Sequence, residues 1–455
     1  MKSAFTPFDR FVWLIMALLA ALIGLVLLRG DRVGVRVLAI SPAEGAQHVS
    51  SQQVLRITFD QPIDLGSVLA PLRIEPSVPG IAQWQDDVLL FRPNEPLAPD
   101  TEYTVTLAAG LRSTAGQTLR APLTWRFRTG HPHVAYLVSS EDGLLQVMLL
   151  DPADATAAPR QLTHEALGVW DYAPAPNGSL IAYAAIRADG GRDLWAVEPD
   201  SGATRLLLAC GEDACSGPVW NPDSRRLVYE RRAVSELAQG QGLARLWWLD
   251  TANGETSPVF SDSQWLGYGA SFSADGEWIS HAAPHNQALM VVNLRDGRTL
   301  EIPSEMGEPA VWGPRDPLLL YVNIASGDSG YYPHVFQVNA ESGRVVDLSS
   351  SDTAGDSAPA WSPDGRQVAW SRRTAQRPVA GQVWVTQPGQ TEGRFLAEDN
   401  ASQDNALRWS PDGRMLLVQR VALQGEYQSH IWLYDFAAAQ WRQIAANGAW
   451  PTWLP

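Results

Sequence analysis

The side chains best placed to do chemistry in this chain are acidic, and two of them recur at one spacing. Asp356 and Asp404 each stand five residues before a tryptophan, Trp361 and Trp409. Two carboxylates facing each other across a cleft can serve as general acid and base on a glycosidic bond. Comparable stretches elsewhere hold Trp170 and Asp171, Glu212 and Asp213, Trp265 and Tyr268, Glu305 and Glu308, Asp352, Asp399 and Asn405. If these stretches converge, then Trp170, Asp171, Trp265, Tyr268, Asp356, Asp404 and Asn405 form an acidic mouth with exposed aromatics, suited to holding a ligand or partner.

Other reactive constellations do not assemble. Ser326–Gly330 reads SGDSG, but a serine nucleophile needs a positioned base and no cognate histidine motif precedes it. His281 and His285, in HAAPH, have metal-ligand spacing only on a helix, and Pro284 argues against one. No catalytic residue, metal site or cofactor is expected. The formal net charge of −15 and the lack of a basic stripe exclude nucleic acid as a partner. Cys210 and Cys215, the only cysteines, close a small disulfide loop outside the cytoplasm or stay two free thiols within it.

The elements that carry these residues are strands, and they repeat. One phrase recurs as YAPAPNGSLIAY, PVWNPDSRRLVY, ASFSADGEWISH, AVWGPRDPLLLY, PAWSPDGRQVAW and LRWSPDGRMLLV, and ends as PTWLP. Its large slot falls at Pro174, Trp220, Phe272, Trp312, Trp361, Trp409 and Trp453, spaced by 40 to 52 residues. That is the spacing of four-stranded propeller blades. A second phrase lies between, with its apolar slot at Met148, Trp195, Trp247, Met290, Phe336, Trp384 and Trp432. Each of these is followed three residues later by a polar side chain that closes a turn.

The two series are offset by half a unit. Met148 precedes every complete first phrase, and Trp453 follows every second one. The last strand therefore completes the first blade, giving seven blades and removing two open edges. Within WSPDG, Pro presets the turn, Asp caps its own backbone and Gly accepts positive φ, so the repeated Asp is structural.

These repeats resemble the TolB-like propeller family over 131–455, which implies recognition of a protein or envelope ligand through the channel mouth. Six blades are common in that family and stand as the alternative to seven. WD-repeat propellers fit less well, since no Gly-His and Trp-Asp pair recurs. Residues 35–130 carry period-2 strands such as VLRITFD, DVLLFRP and LTWRFRTG, the signature of a β-sandwich. With SPAEGAQHV, FRPNEPLAPDTEYTVTL and AGQTL, this segment resembles the bacterial Ig-like domain of surface-layer and envelope proteins, which implies a spacer. Phe59, Trp84, Phe91, Tyr103, Trp125 and Phe127 are its expected core.

Phe11–Leu28, with no charge and no Pro over 18 residues, is expected to be a transmembrane anchor following a cytoplasmic 1–10. The whole is then all-β beyond its anchor: a single-pass membrane protein with its bulk at the cell surface or in the periplasm, binding or scaffolding a protein or envelope polymer. A propeller-based glycan hydrolase or lyase and a purely structural envelope component are the alternatives.

Overall fold

The computed structural model describes residues 11–21 and 34–454, leaving aside 65–71, 86, 141, 155, 236–243, 315–316, 328–329, 350, 352, 391, 397–400 and 426–427. Residues 11–21 are helical and exposed throughout. The remainder of the expected span, 22–28, lies outside the described residues, as do 1–10, Asp352 and Asp399. Among the described residues no helix is long and apolar enough to cross a membrane. The rest of the chain is built of strands in two compact units.

The first unit pairs two four-stranded sheets. One runs Val37–Ser41, Leu55–Phe59, Val88–Pro93, Gly80–Gln85; the other runs Ala46–Val49, Leu123–Thr129, Glu102–Leu107, Leu72–Glu75. Alternation along each strand turns one face inward, so that Leu55, Ile57 and Phe59 are buried while Arg56 and Thr58 are not. Phe91, Tyr103, Trp125 and Phe127 are buried as expected. Trp84 is half-buried and lies 5.6 Å from Phe59, ring to ring.

Among the described residues from His133 on, 28 strands form seven antiparallel sets of four, six of them laid out in chain order. The second and third sets share one eight-stranded sheet through a single parallel bridge, Arg192 to Ala214. The first set is completed out of order. Gly448–Leu454 pairs with His133–Ser139, with Trp453 opposite Val134 and Leu454 opposite His133. Every inner strand touches the inner strands on either side, and contact of Gly448–Leu454 with Val169–Pro174 closes the circuit. This is a propeller clasped by the C-terminal strand.

The repeated tryptophan explains much of the cohesion between sets. The Nε1–H groups of Trp220, Trp312 and Trp453 donate to the carbonyls of Ala173, Ser271 and Arg408 in the preceding set, at 2.9, 3.1 and 3.1 Å. Each indole thus buries its rings between sheets while satisfying its one polar atom. The turn after it is held by its own side chains. Asp364 Oδ1 accepts from Ser362 Oγ at 2.6 Å and from Arg366 N at 3.0 Å, and Asp412 repeats both bonds. Gly365 and Gly413 sit at φ +70° and +72°, where an L side chain is strained.

Five of the seven inner strands also bend at one place. Three residues before the large slot, Gly217, Gly269, Ala358, Ala406 and Trp450 all have left-handed φ between 48° and 63°. The strand register shifts at each of them, the signature of a β-bulge. The bulge frees a backbone N–H, and in three cases the preceding set supplies the acceptor. Gly269 N donates to Glu230 Oε1 at 2.9 Å and Trp450 N to Gln419 Oε1 at 3.0 Å. Glu230 and Gln419 hold the same place, ten residues past their large slots. In the second set that place is Ala184, too short to reach, and Asp171 from the inner strand accepts from Gly217 N instead, at 2.6 Å.

Candidate functional site at the propeller mouth

The starts of the inner strands, the ends of the second strands and the starts of the third strands lie at the same end of each set, because neighbouring strands run antiparallel. At that end, between the second and third sets, charge and aromatic surface collect. Trp170 is 52% exposed, and the Arg192 guanidinium stacks over its ring at 3.9 Å, a cation–π contact. Asp171 follows. Its Oδ2 holds Gly217 N, while its Oδ1 is buried with no hydrogen-bond partner. Glu230 and Arg232 approach from the second strand of the third set, and Arg232 Nε is likewise buried without a partner.

The electrostatics follow from that enclosure. Burial pushes the Asp171 carboxyl up to about 7, against the opposing Gly217 hydrogen bond, with the nearby Glu230 charge adding to the rise. Glu230 is also raised, again chiefly by burial. Arg192 is lowered by burial despite the Asp171 carboxylate near it. Asp171 retains some solvent contact although protein atoms crowd round it, as expected for a side chain in a narrow opening. The group presents two carboxyls, two guanidiniums and a stacked indole, with hydrogen-bonding capacity left over for a polar ligand.

The remaining sequence candidates divide. Tyr268 stands beside Gly269, the group bonded to Glu230, and so extends the same arc. Trp450, on the clasp strand next to Trp170's strand, is 65% exposed. Its carbonyl lies 2.6 Å from the Tyr172 hydroxyl. Asn405 is half-buried, and its Oδ1 has no partner.

Asp356 and Asp404 are corrected. Neither faces a ligand: both are fully buried and clasped by arginines on the adjoining strand. Arg372 donates from Nε and Nη2 to Asp356 at 2.8 and 2.6 Å, and Arg420 to Asp404 at 2.7 and 3.0 Å. Trp384 and Trp441 then lie under those guanidiniums at 4.6 and 4.7 Å. Asp213 is held similarly, by Arg231 Nε at 2.5 Å. Trp265 is also corrected: it is not an open aromatic but packs on Phe260 at 4.7 Å and against Ala283, Ala288 and Met290.

Sequence reasoning missed Arg192, Glu230, Arg232 and Trp450, because each is contributed by a strand or set other than the one entering at Trp170. It also missed Arg372 and Arg420. A signal for these two existed, since both follow their Asp by 16 residues and precede a Trp by 12. Cys210 and Cys215 are disulfide-bonded. Among the described residues no group of three or more His, Cys, Asp or Glu side chains gathers as a metal site.

Comparison with known proteins places these observations. Residues 31–129 match the family model of the bacterial Ig-like domain. Among curated proteins none matches the chain in sequence. In fold, the chain is similar to puromycin hydrolase (17% identity, TM-score 0.51) and to a puromycin-hydrolysing peptidase of Mycobacterium tuberculosis (12%, 0.51). Each alignment covers 70% of this chain and 53% of the other. The chain therefore spans about half the length of those peptidases, and the likeness is one of propeller fold alone. TolB from Acinetobacter baumannii aligns over 85% of this chain and 83% of its own, at 12% identity and a TM-score of 0.44.

Proposed function

We propose that this is a membrane-anchored, extracytoplasmic binding protein, in which an Ig-like spacer precedes a seven-bladed propeller that recognises a protein or envelope ligand at its mouth. The count of seven takes the eight-stranded sheet as two blades joined by one bridge. The observation that carries the binding role is the Trp170–Arg192 stack, open to solvent beside the unpartnered Oδ1 of Asp171. Exposed aromatic and arginine side chains next to unsatisfied polar atoms are what binding surfaces present. The apolar Phe11–Leu28 segment supports anchoring, and the Cys210–Cys215 bond suits an oxidising compartment. The glycan-cleaving alternative loses the pair on which it was built, since Asp356 and Asp404 are each committed to a buried arginine.

Crosslinking intact cells with a membrane-impermeant reagent, followed by pull-down, tests this reading. The wild type should retain a stoichiometric partner, and Trp170→Ala with Arg192→Ala should lose it at unchanged abundance. Equal capture by the variant, or no capture by the wild type, would overturn it.

A further inference from the structure

The exposed stack at the mouth stands beside a joint of its own kind. Among the described residues, the second and third sets alone share a ladder, through the parallel bridge of Arg192 to Ala214. Arg192 opens the third strand of its set, Arg192–Val197, and its guanidinium is the one that lies 3.9 Å over Trp170. Ala214 lies on the next inner strand, Asp213–Trp220, within the loop that the Cys210–Cys215 disulfide closes. The disulfide is thus one strand away from the stack.

A single bridge contributes little by itself, so its place is set by the restraints on either side. On the Arg192 side, Asp193 Oδ1 accepts from Cys210 N at 2.8 Å and from Arg187 Nη1 at 2.6 Å. Arg187 Nη2 donates in turn to the Gly211 and Asp213 carbonyls. On the Ala214 side, Asp213 N donates to the Cys210 carbonyl at 3.0 Å, and Arg231 Nε holds the Asp213 carboxylate. Most of these bonds end on the loop 210–215. Gly211 takes φ +61° there, in a turn that a glycine-containing chain leaves readily unless it is tied.

The tie is the disulfide. Its two residues are separated by five in sequence, and so short a loop restrains the unfolded chain less than a long one does, which makes the effect mainly local. Cys210 and Cys215 are buried among Leu194, Leu207 and Trp220, where reductants in solution reach them poorly, so the bond acts as a fixed brace rather than a redox switch.

We propose that the Cys210–Cys215 disulfide is a positioning device for the mouth, holding Arg192 over Trp170 through Asp193 and the Ala214 bridge. Without it the propeller stays folded but the start of Arg192–Val197 is released. A stack populated about a tenth of the time binds its ligand about tenfold more weakly. That consequence for the ligand rests on the mouth reading; the positioning itself does not.

Side-chain NMR of the purified full-length chain, isotope-labelled at arginine, tests the positioning. The Arg192 Nε–H resonance, assigned by its absence in Arg192→Lys, should carry a ring-current shift that Trp170→Ala removes. Cys210→Ala with Cys215→Ala should remove most of that shift, while the Arg372 resonance beside Trp384 stays in place. A disulfide that only stabilises the fold would lower Tm and leave the Arg192 shift of the folded protein unchanged. That result, or a wild type without the shift, would overturn the proposal. Asp193→Ala cuts the loop from the strand but keeps the disulfide, and it carries the test if the cysteine variant does not fold: it should remove part of the shift, and an unchanged shift is equally fatal. Partner capture on intact cells should fall about tenfold in the cysteine variant. If the Arg192 shift is lost while capture is undiminished, the mouth reading fails and the positioning stands.

Discussion

Asp171 shows how one side chain can be both a structural acceptor and part of a surface. Its Oδ2 satisfies the bulge N–H of Gly217, and its Oδ1 is left facing the charged group at the mouth. Burial raises its pKa from 3.8 to about 7, and the sign of the consequence follows. The folded protein holds a proton that the unfolded chain releases near pH 4, so stability is greatest below that value and is lost as pH rises toward 7. Asp171→Asn keeps an oxygen for Gly217 but cannot ionise. It should flatten this part of the pH–Tm curve and raise stability at pH 8 by about 2 kcal/mol, allowing for partial solvent contact. Parallel slopes in the two proteins between pH 4 and 8 would show that Asp171 is not desolvated as described.

Among the elements, the inner and second strands of the sixth and seventh sets are tied by ion pairs rather than by ladder bonds alone. Asp404 stands opposite Arg420 in the strand register, as Asp356 stands opposite Arg372. Removing one partner leaves a buried charge, so Arg420→Met alone should cost roughly 3 to 5 kcal/mol in a denaturant melt. Asp404→Leu combined with Arg420→Met should recover most of it, because neither charge is then stranded. This pair also marks the limit of what the sequence could reveal. The turns, the slots and their spacing are legible because Pro, Asp, Gly and Trp are chosen locally. Whether Asp404 lies in a loop or on a strand depends on register, which is set by a partner strand. The bulge is equally hidden, since Ala358, Ala406 and Trp450 take a left-handed φ that their residue types do not advertise. Trp265 illustrates a third failure: its packing partners Ala283, Ala288 and Met290 lie on two later strands.

For the molecule as a whole, closure is the decisive contact. The offset between the two repeat series anticipates the pairing of Gly448–Leu454 with His133–Ser139, and the clasp places Leu454 and Trp453 in two separate cores. Deleting Pro451–Pro455 would strip both anchors and expose the edge of His133–Ser139. The variant should melt several degrees lower and aggregate more readily, whereas an unchanged melt would refute the clasp as a stabilising contact.

The clasp also imposes a timetable. Its partner strand is synthesised about 300 residues earlier, which at typical elongation rates is an interval of roughly 15 to 60 s. Throughout that time His133–Ser139 has its Leu145–Leu150 partner on one side and an open edge on the other. A propeller whose first set waits for Gly448–Leu454 keeps one strand edge open to mispairing until the ring shuts.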